Sequence, residues 1–430
     1  MRKLQERLKE IDRKNIQKKW SGLDADERLS TKEKLEKLVQ QNLRQRAIIP
    51  GGGGIAPGTA PHRVAAREPF LVKDFFYSLD GRYGKVRLGK WFDLKAETLA
   101  VVAGSEAFAG LDPRRALFFD SETTGLAGGT GTIPFMLGFG FFSATSFQVK
   151  IFLLQDLDKE GEFLAAVDDF LAAGNYSFTV TFNGKAFDFP LLETRYILQR
   201  RRLPLLRLPH LDFLFPARTI WKNTFDSRKL GFLGEMLLGL SRSDDIEASA
   251  IPALYFSFLR SGDLAAIEPV VEHNAMDLVG LAAVVLLGAL YLDDHSLTND
   301  GGEILGLGRL CERAGLLERA EAFYQIARDV GGRADVQIQA VRRLSVLLKK
   351  KKLYTEALQL WEILSSANDL QALREISVHY EHRERNYYQA VEIVEKALEN
   401  VRLSPSQQQE LEKRLQRLRG KIAKLEEKEE

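Results

Sequence analysis

The sequence predicts an α/β protein, a mixed sheet with flanking helices, followed by an all-α region of helical repeats. Three observations carry this prediction. Apolar runs over 116–120, 133–142 and 146–154 follow one another closely enough to be strands joined by hairpins. From Glu160 onward, short β-like runs alternate with helical stretches, which points to crossovers and parallel neighbours in the same sheet. After Asn299, small and large apolar residues recur at helical spacing, with Ala320, Ala357 and Ala390 marking successive copies.

In chain order, residues 1–49 form a basic arm of helix-friendly composition, with 14 Lys or Arg against eight Asp or Glu. Such a segment is either a nucleic-acid contact or a solvated helix. Residues 50–61, PGGGGIAPGTAP, have linker composition; no Lys-Ser/Thr follows and no strand precedes, so they do not read as a phosphate loop. Residues 62–115 are a short β-rich lead-in, with a hairpin expected at Asp80-Gly81 or Tyr83-Gly84. The main domain is expected over 116–293. Its first strand ends in Asp120, Gly125, Gly128, Gly129 and Gly131 punctuate a turn, and the run 133–142 pairs back. A helix over 160–173, a strand over 177–182, a helix from Asp188 to about Arg202 and a short strand leading to Asp212 follow. The longest apolar run, Leu278 to Leu292, is too short to span a bilayer and reads as a buried helix. Residues 303–430 hold the repeats, with Leu307-Gly308, Tyr324 and Ala327, then Leu344, Trp361 and Leu364, then Tyr380, Val394 and Ala397, closed by a polar capping helix from Ser404.

Composition excludes little. A formal net charge of +2 over 430 residues means that any nucleic-acid surface must be a local patch. A single cysteine, Cys311, rules out an intramolecular disulfide and a thiolate zinc cluster and fits a reducing compartment. With no apolar h-region at the N-terminus, a cytoplasmic protein with no membrane association is expected.

Four stretches carry chemistry. Asp120 and Glu122 are two apart at a strand end, so both carboxylates share one face, an arrangement suited to a divalent cation but equally found on a solvated strand edge. In VTFNGKAFDFPLLETR, Asp188 sits at the mouth of a helix, where it is either a site residue or a cap. In EHNAMDLVGLA, His273 and Asp277 are one helical turn apart on one face. Arg195, Arg200, Arg201, Arg202 and Arg207 form a cluster that either grips phosphate or ends a solvated helix. Asp212 and His210 read as supporting residues near such a site.

Together these stretches resemble the three motifs of the DEDD exonuclease superfamily. Asp120 and Glu122 match the first, Asn183 with Phe187-Asp188 matches the Asn-x-x-x-Phe-Asp form of the second, and Asp277 matches the acid of the third. More narrowly, DSETTGLAGGTGT, FNGKAFDFPLL, HLDF at His210 to Phe213, and HNAMDLVGL are similar to the YprB-type ribonuclease H-like domain over about Arg115 to Leu292. The resemblance implies a ribonuclease H-like fold and a nuclease, a 3′→5′ exonuclease hydrolysing DNA or RNA with two divalent ions, Mg2+ or Mn2+. Asp120 would bridge the ions, Glu122 and Asp277 would complete one site and Asp188 would hold the other, with His273 orienting or deprotonating water. Substrate contacts are expected from Thr123, Asn183, Asn274 and Arg200, Arg201 and Arg202. The repeats resemble tetratricopeptide repeats and are expected to meet a protein partner or nucleic acid, or only to buttress the enzyme. The alternative is a catalytically weak nucleic-acid-binding or scaffolding protein that acts through those repeats. One departure stands out: three residues separate His273 from Asp277, whereas the histidine branch of the superfamily has four, so the general-base role of His273 is an open question.

Overall fold

The computed structural model describes residues 68–125, 131–240, 246–330 and 332–429; the expected arm and linker lie outside them. The strands in chain order are β1 (Phe70–Ser78), β2 (Arg82–Tyr83), β3 (Val86–Arg87), β4 (Ala116–Thr123), β5 (Pro134–Phe142), β6 (Ser146–Leu154), β7 (Phe178–Thr181) and β8 (His210–Asp212). Six of them make one mixed sheet in the order β1-β6-β5-β4-β7-β8. β4 lies inside the sheet, antiparallel to β5 and parallel to β7. β1, in the expected lead-in, pairs antiparallel with β6 along its whole length and forms one edge of the sheet. The hairpin there is the small β2–β3 ribbon, turned at Gly84, which adopts the left-handed conformation (φ 55°).

Helices α1 (Ala96–Ala103), α2 (Glu160–Ala173), α3 (Asp188–Leu198), α4 (Leu214–Ile220), α5 (Leu230–Leu238), α6 (Ile251–Ser261) and α7 (Glu268–Asp293) surround the sheet. Strand alternation sorts the aromatic residues onto two faces. Phe119, Phe139 and Phe152 meet Phe170 of α2 and Phe189 of α3, while Phe118, Phe142 and Phe147 gather around Trp91. α7 crosses β4, β5 and β6. It starts ten residues before the apolar run seen in the sequence, spans 26 residues, and has the length and composition of a membrane span; 83% of its most apolar window is nonetheless buried in the fold, as expected of a core helix.

α7 comes this close to the sheet because β5 carries glycine beneath it. A Cβ on Gly138 would lie 1.9 Å from Asn274 Oδ1 and 2.9 Å from Leu278 Cδ1. Glycine inside a strand commonly marks such an approach of another element.

The C-terminal region is all-helical: α8 (Gly301–Arg313), α9 (Leu317–Asp329), α10 (Ala334–Lys350), α11 (Tyr354–Ser366), α12 (Leu370–His379), α13 (Tyr387–Asn400) and α14 (Pro405–Glu429). Ala320, Ala357 and Ala390 each lie buried on the second helix of a pair, where a larger side chain would hold neighbouring helices apart. The joint with the sheet region is tight. A Cβ on Gly306 of α8 would lie 2.5 Å from Thr219 O on α4, and Trp221 Nε1 donates to Glu303 Oε1 at 3.0 Å. One hydrophobic core runs from Val86 to Ile376 across that joint.

Candidate active site

Pairing of β4 with β7 ends at Phe118 and Val180, so Asp120 and Glu122 project beyond β7 at the open carboxyl end of the strand. The carboxyl ends of parallel strands are where open α/β sheets form ligand crevices. Asp120 lies opposite Gly138 in the register and faces α7, from which Asn274 Nδ2 donates to Asp120 Oδ2 at 2.7 Å. Asn274 is fully buried, and its Oδ1 is one of the buried polar atoms with no hydrogen-bond partner. One turn along α7, His273 Nε2 lies 3.4 Å from Asp277 Oδ2. From the other side of β4, Ser121 Oγ donates to Asp188 Oδ1 at 2.5 Å, locking the first residue of α3 against the strand end.

These acids feel one another. Burial, and then the charges of Asp188, Glu122 and Asp277, hold the Asp120 carboxyl well above the usual carboxylate range. Burial and the charges of Asp277 and Asp188 push Glu122 up to about 8. Burial also raises Asp188, against the lowering effect of its bond from Ser121. All three keep some solvent-facing surface. Among the described residues, no three His, Cys, Asp or Glu side chains close on one point as a finished ligand shell. The donor set nonetheless fits a hard divalent cation. It is made of oxygens, its ionised form is self-repelling, and the largest charges acting on Asp120 are other carboxylates.

Asp212 has a different task. Its carboxylate accepts from three backbone N–H groups, Asn183 (2.7 Å), Lys185 (3.0 Å) and Leu214 (3.1 Å), and is 3% exposed. This clamp holds the loop before Asp188, where Asn183 takes a left-handed conformation (φ 72°) that Asn tolerates better than most residues. His210 accompanies it: the ring stacks on Phe189 at 4.1 Å, Nε2 meets Thr181 Oγ1 at 2.8 Å, and burial lowers its pKa to about 4. Both residues therefore support α3 and its loop. Asp212→Asn leaves one of those N–H groups facing an amide NH2, a loss of roughly 1–3 kcal/mol. The expected result is a lower melting temperature and faster hydrogen exchange at the Asn183 and Lys185 amides. Parent-like exchange there would disprove the clamp.

The arginine cluster is not gathered at the acids. α3 carries its C-terminal end roughly 15 Å from Asp188. Arg195 is tied to Glu160 through Nε and Nη2, both at 2.6 Å, and Arg201 to Asp168 at 2.8 Å, so two of the cluster fasten α3 to α2. Arg200 (φ 55°) and Arg202 are exposed. Thr123, at the bulge that ends β4, donates its hydroxyl to Gly125 O at 2.8 Å. Sequence reasoning missed Ser121 and Gly138. The second left a signal in the glycines at 138 and 140, alternate positions of an otherwise bulky strand.

Residues 117–287 match the RNase H superfamily. The chain is also 31% identical to the uncharacterized protein YprB of Bacillus subtilis (strain 168) over 366 residues, 83% of this chain and 87% of that protein. The chain belongs to the YprB family. The match to the RNase H superfamily covers Asp120, Glu122, Asp188 and Asp277, and the alignment with YprB extends over most of the chain.

Proposed function

We propose that the protein is a metal-dependent nuclease, a 3′→5′ exonuclease of the DEDD type. The observation that carries this reading is the meeting of Asp120, Glu122, Asp188 and Asp277, from three separate stretches of chain, in one field of mutual repulsion at a strand end. A protein that only binds nucleic acid gains nothing from that repulsion, which also opposes an approaching phosphate. These four residues would hold Mg2+ or Mn2+, whose chemistry there is Lewis-acid activation of water and neutralisation of phosphate charge. The chain's own groups prepare that site. Asn274 fixes the Asp120 carboxylate by its hydrogen bond, and Ser121 does the same for Asp188. The Asp212 clamp presents the loop that carries Phe187, which is 62% exposed beside Asp188 and offers a face on which a terminal base can stack. His273, one turn from Asp277 on α7, would accept the proton of the attacking water or orient that water. The C-terminal pairs we take as tetratricopeptide-like.

The test is a digestion series on end-labelled single- and double-stranded DNA and RNA with Mg2+, Mn2+ or chelator. Metal-dependent release of mononucleotides from the 3′ end is the expected result. No cleavage of any of the four substrates with either metal would overturn the reading. The role of His273 separates by substitution. If it is the general base, His273→Ala lowers the rate roughly a hundredfold. If it orients water instead, His273→Tyr retains much of the activity. A parent-like rate and pH profile in the Ala variant would remove His273 from the mechanism.

A further inference from the structure

The first helices of the successive pairs, α8, α10 and α12, and the final helix α14 are joined by polar contacts that cross from each to the next. Arg309 Nη2 donates to Gln339 at 2.7 Å, and Arg343 lies 3.5 Å from Glu312. Lys349 pairs with Glu375 at 2.7 Å, and Arg374 with Glu410 at 2.7 Å. This row does not balance its charge. Its extreme case is Glu381, in the short π-helical turn that continues α12, whose side chain is 0% exposed. Arg414 at 2.6 Å, Lys421 at 2.8 Å and Arg417 at 2.9 Å all converge on it from α14. Three permanent cations therefore share one carboxylate, and two remain in excess. Arg417 is 51% exposed and Lys421 36%, so the excess faces solvent. Further along the row, Nε of Arg309 and Nε of Arg374 are buried without an acceptor.

Like charges crowded in this way repel one another, and an anion laid over them removes the repulsion. Helix packing spaces neighbouring axes by about 8–10 Å, so four helices side by side spread the cations over roughly 25–30 Å. A nucleic-acid strand offers an anion at every step of such a path, whereas a peptide does so only through an unbroken acidic run. We propose that this face of the helical region is a nucleic-acid-binding track that holds the phosphate backbone without reading bases. The track lies on the helical region, whereas the four acids lie on β4, α3 and α7. The proposal concerns binding alone, so it stands or falls independently of the nuclease reading.

The experiment titrates the full chain, in chelator, with fluorescein-labelled single-stranded oligothymidylate or oligouridylate across a salt series, followed by fluorescence anisotropy. The variant Arg417→Ala/Lys421→Ala leaves Arg414 to pair Glu381. It is expected to bind about tenfold or more weakly at low salt, and to flatten the slope of log K against log salt by about 1.4, two contacts at about 0.7 each on a single strand. A control of equal charge change, Lys90→Ala/Lys159→Ala, removes cations held in exposed pairs elsewhere and is expected to bind as the parent does. An unchanged affinity and slope in the first variant would overturn the proposal, as would an equal loss in the control. Competition by polyglutamate as effective as competition by unlabelled oligonucleotide would make the face a peptide dock and also overturn it. Should the double variant melt early, Arg417→Ala alone, with half the slope change, decides the matter.

Discussion

Asp120→Asn is expected to abolish metal-dependent cleavage and, without metal, to leave a protein at least as stable as the parent. The loss follows from removing the acid on which the cleft is centred. The gain follows from linkage. A carboxyl whose pKa is raised in the fold contributes stability that is fully present below its unfolded pKa and is lost as the pH rises through its folded pKa. Glu122, at about 8 in the fold, and Asp120, also raised, therefore weaken the metal-free parent as the pH climbs from the ordinary carboxylate range toward 8. The amide removes one of the repelling charges, so the melting-temperature advantage of the variant should widen over that window and level off above it. A divalent metal should reverse the order by stabilising the ionised parent. Equal melting curves for parent and variant at every pH, with and without Mg2+ or Mn2+, would sink the shared-charge account of the site. Retained cleavage would sink the site itself.

Gly138→Ala is expected to be damaging although it changes no chemical group of the cleft. The added methyl would lie 1.9 Å from Asn274 Oδ1 and 2.9 Å from Leu278, so α7 must shift or Asn274 must turn away. Overpacking of this kind destabilises by about 1–3 kcal/mol. Here it should also break the 2.7 Å bond that orients Asp120, and with it the spacing between Asp120 and the Asp277 carboxylate on the same helix. The expected reading is a lower melting temperature together with a fall in kcat that added metal restores only in part. Pairing the change with Asn274→Ala, which vacates the space, should recover stability but not rate. Full activity in Gly138→Ala would show that α7 has slack at this point.

What was legible in the sequence was whatever depends on near neighbours. The spacing of Asp120 and Glu122, the helix mouth at Asp188 and the one-turn separation of His273 and Asp277 are local facts, and the fold keeps them. The mixed sheet with flanking helices and the all-helical region after it were legible from the order of elements. Direction and partnership were not. Arg200 to Arg202 follow the second motif closely in sequence, but a helix moves forward as it turns and carries them away from Asp188. β1 finds its partner some 70 residues later in β6, and no local pattern records that pairing. Asp212 reads from the sequence as a supporting residue, but which groups it supports was not legible: its three backbone donors come from Asn183, Lys185 and Leu214. The length of α7 was hidden because its first ten residues mix polar side chains, Glu268, Glu272, His273, Asn274 and Asp277, with apolar ones and so break the continuous apolar run.

The close joint between α4 and α8 bears on the order in which the chain can complete itself during synthesis. Domains commonly fold as units as they leave the ribosome. Here β1 is made early and waits for β6 before its backbone groups are paired. The surface of α4 that meets Gly306, and the Trp221 indole that meets Glu303, wait until α8 has emerged. The nascent chain thus leaves that flank of α4 uncovered until the first helix of the helical region has been made, and α8 is the piece that closes it.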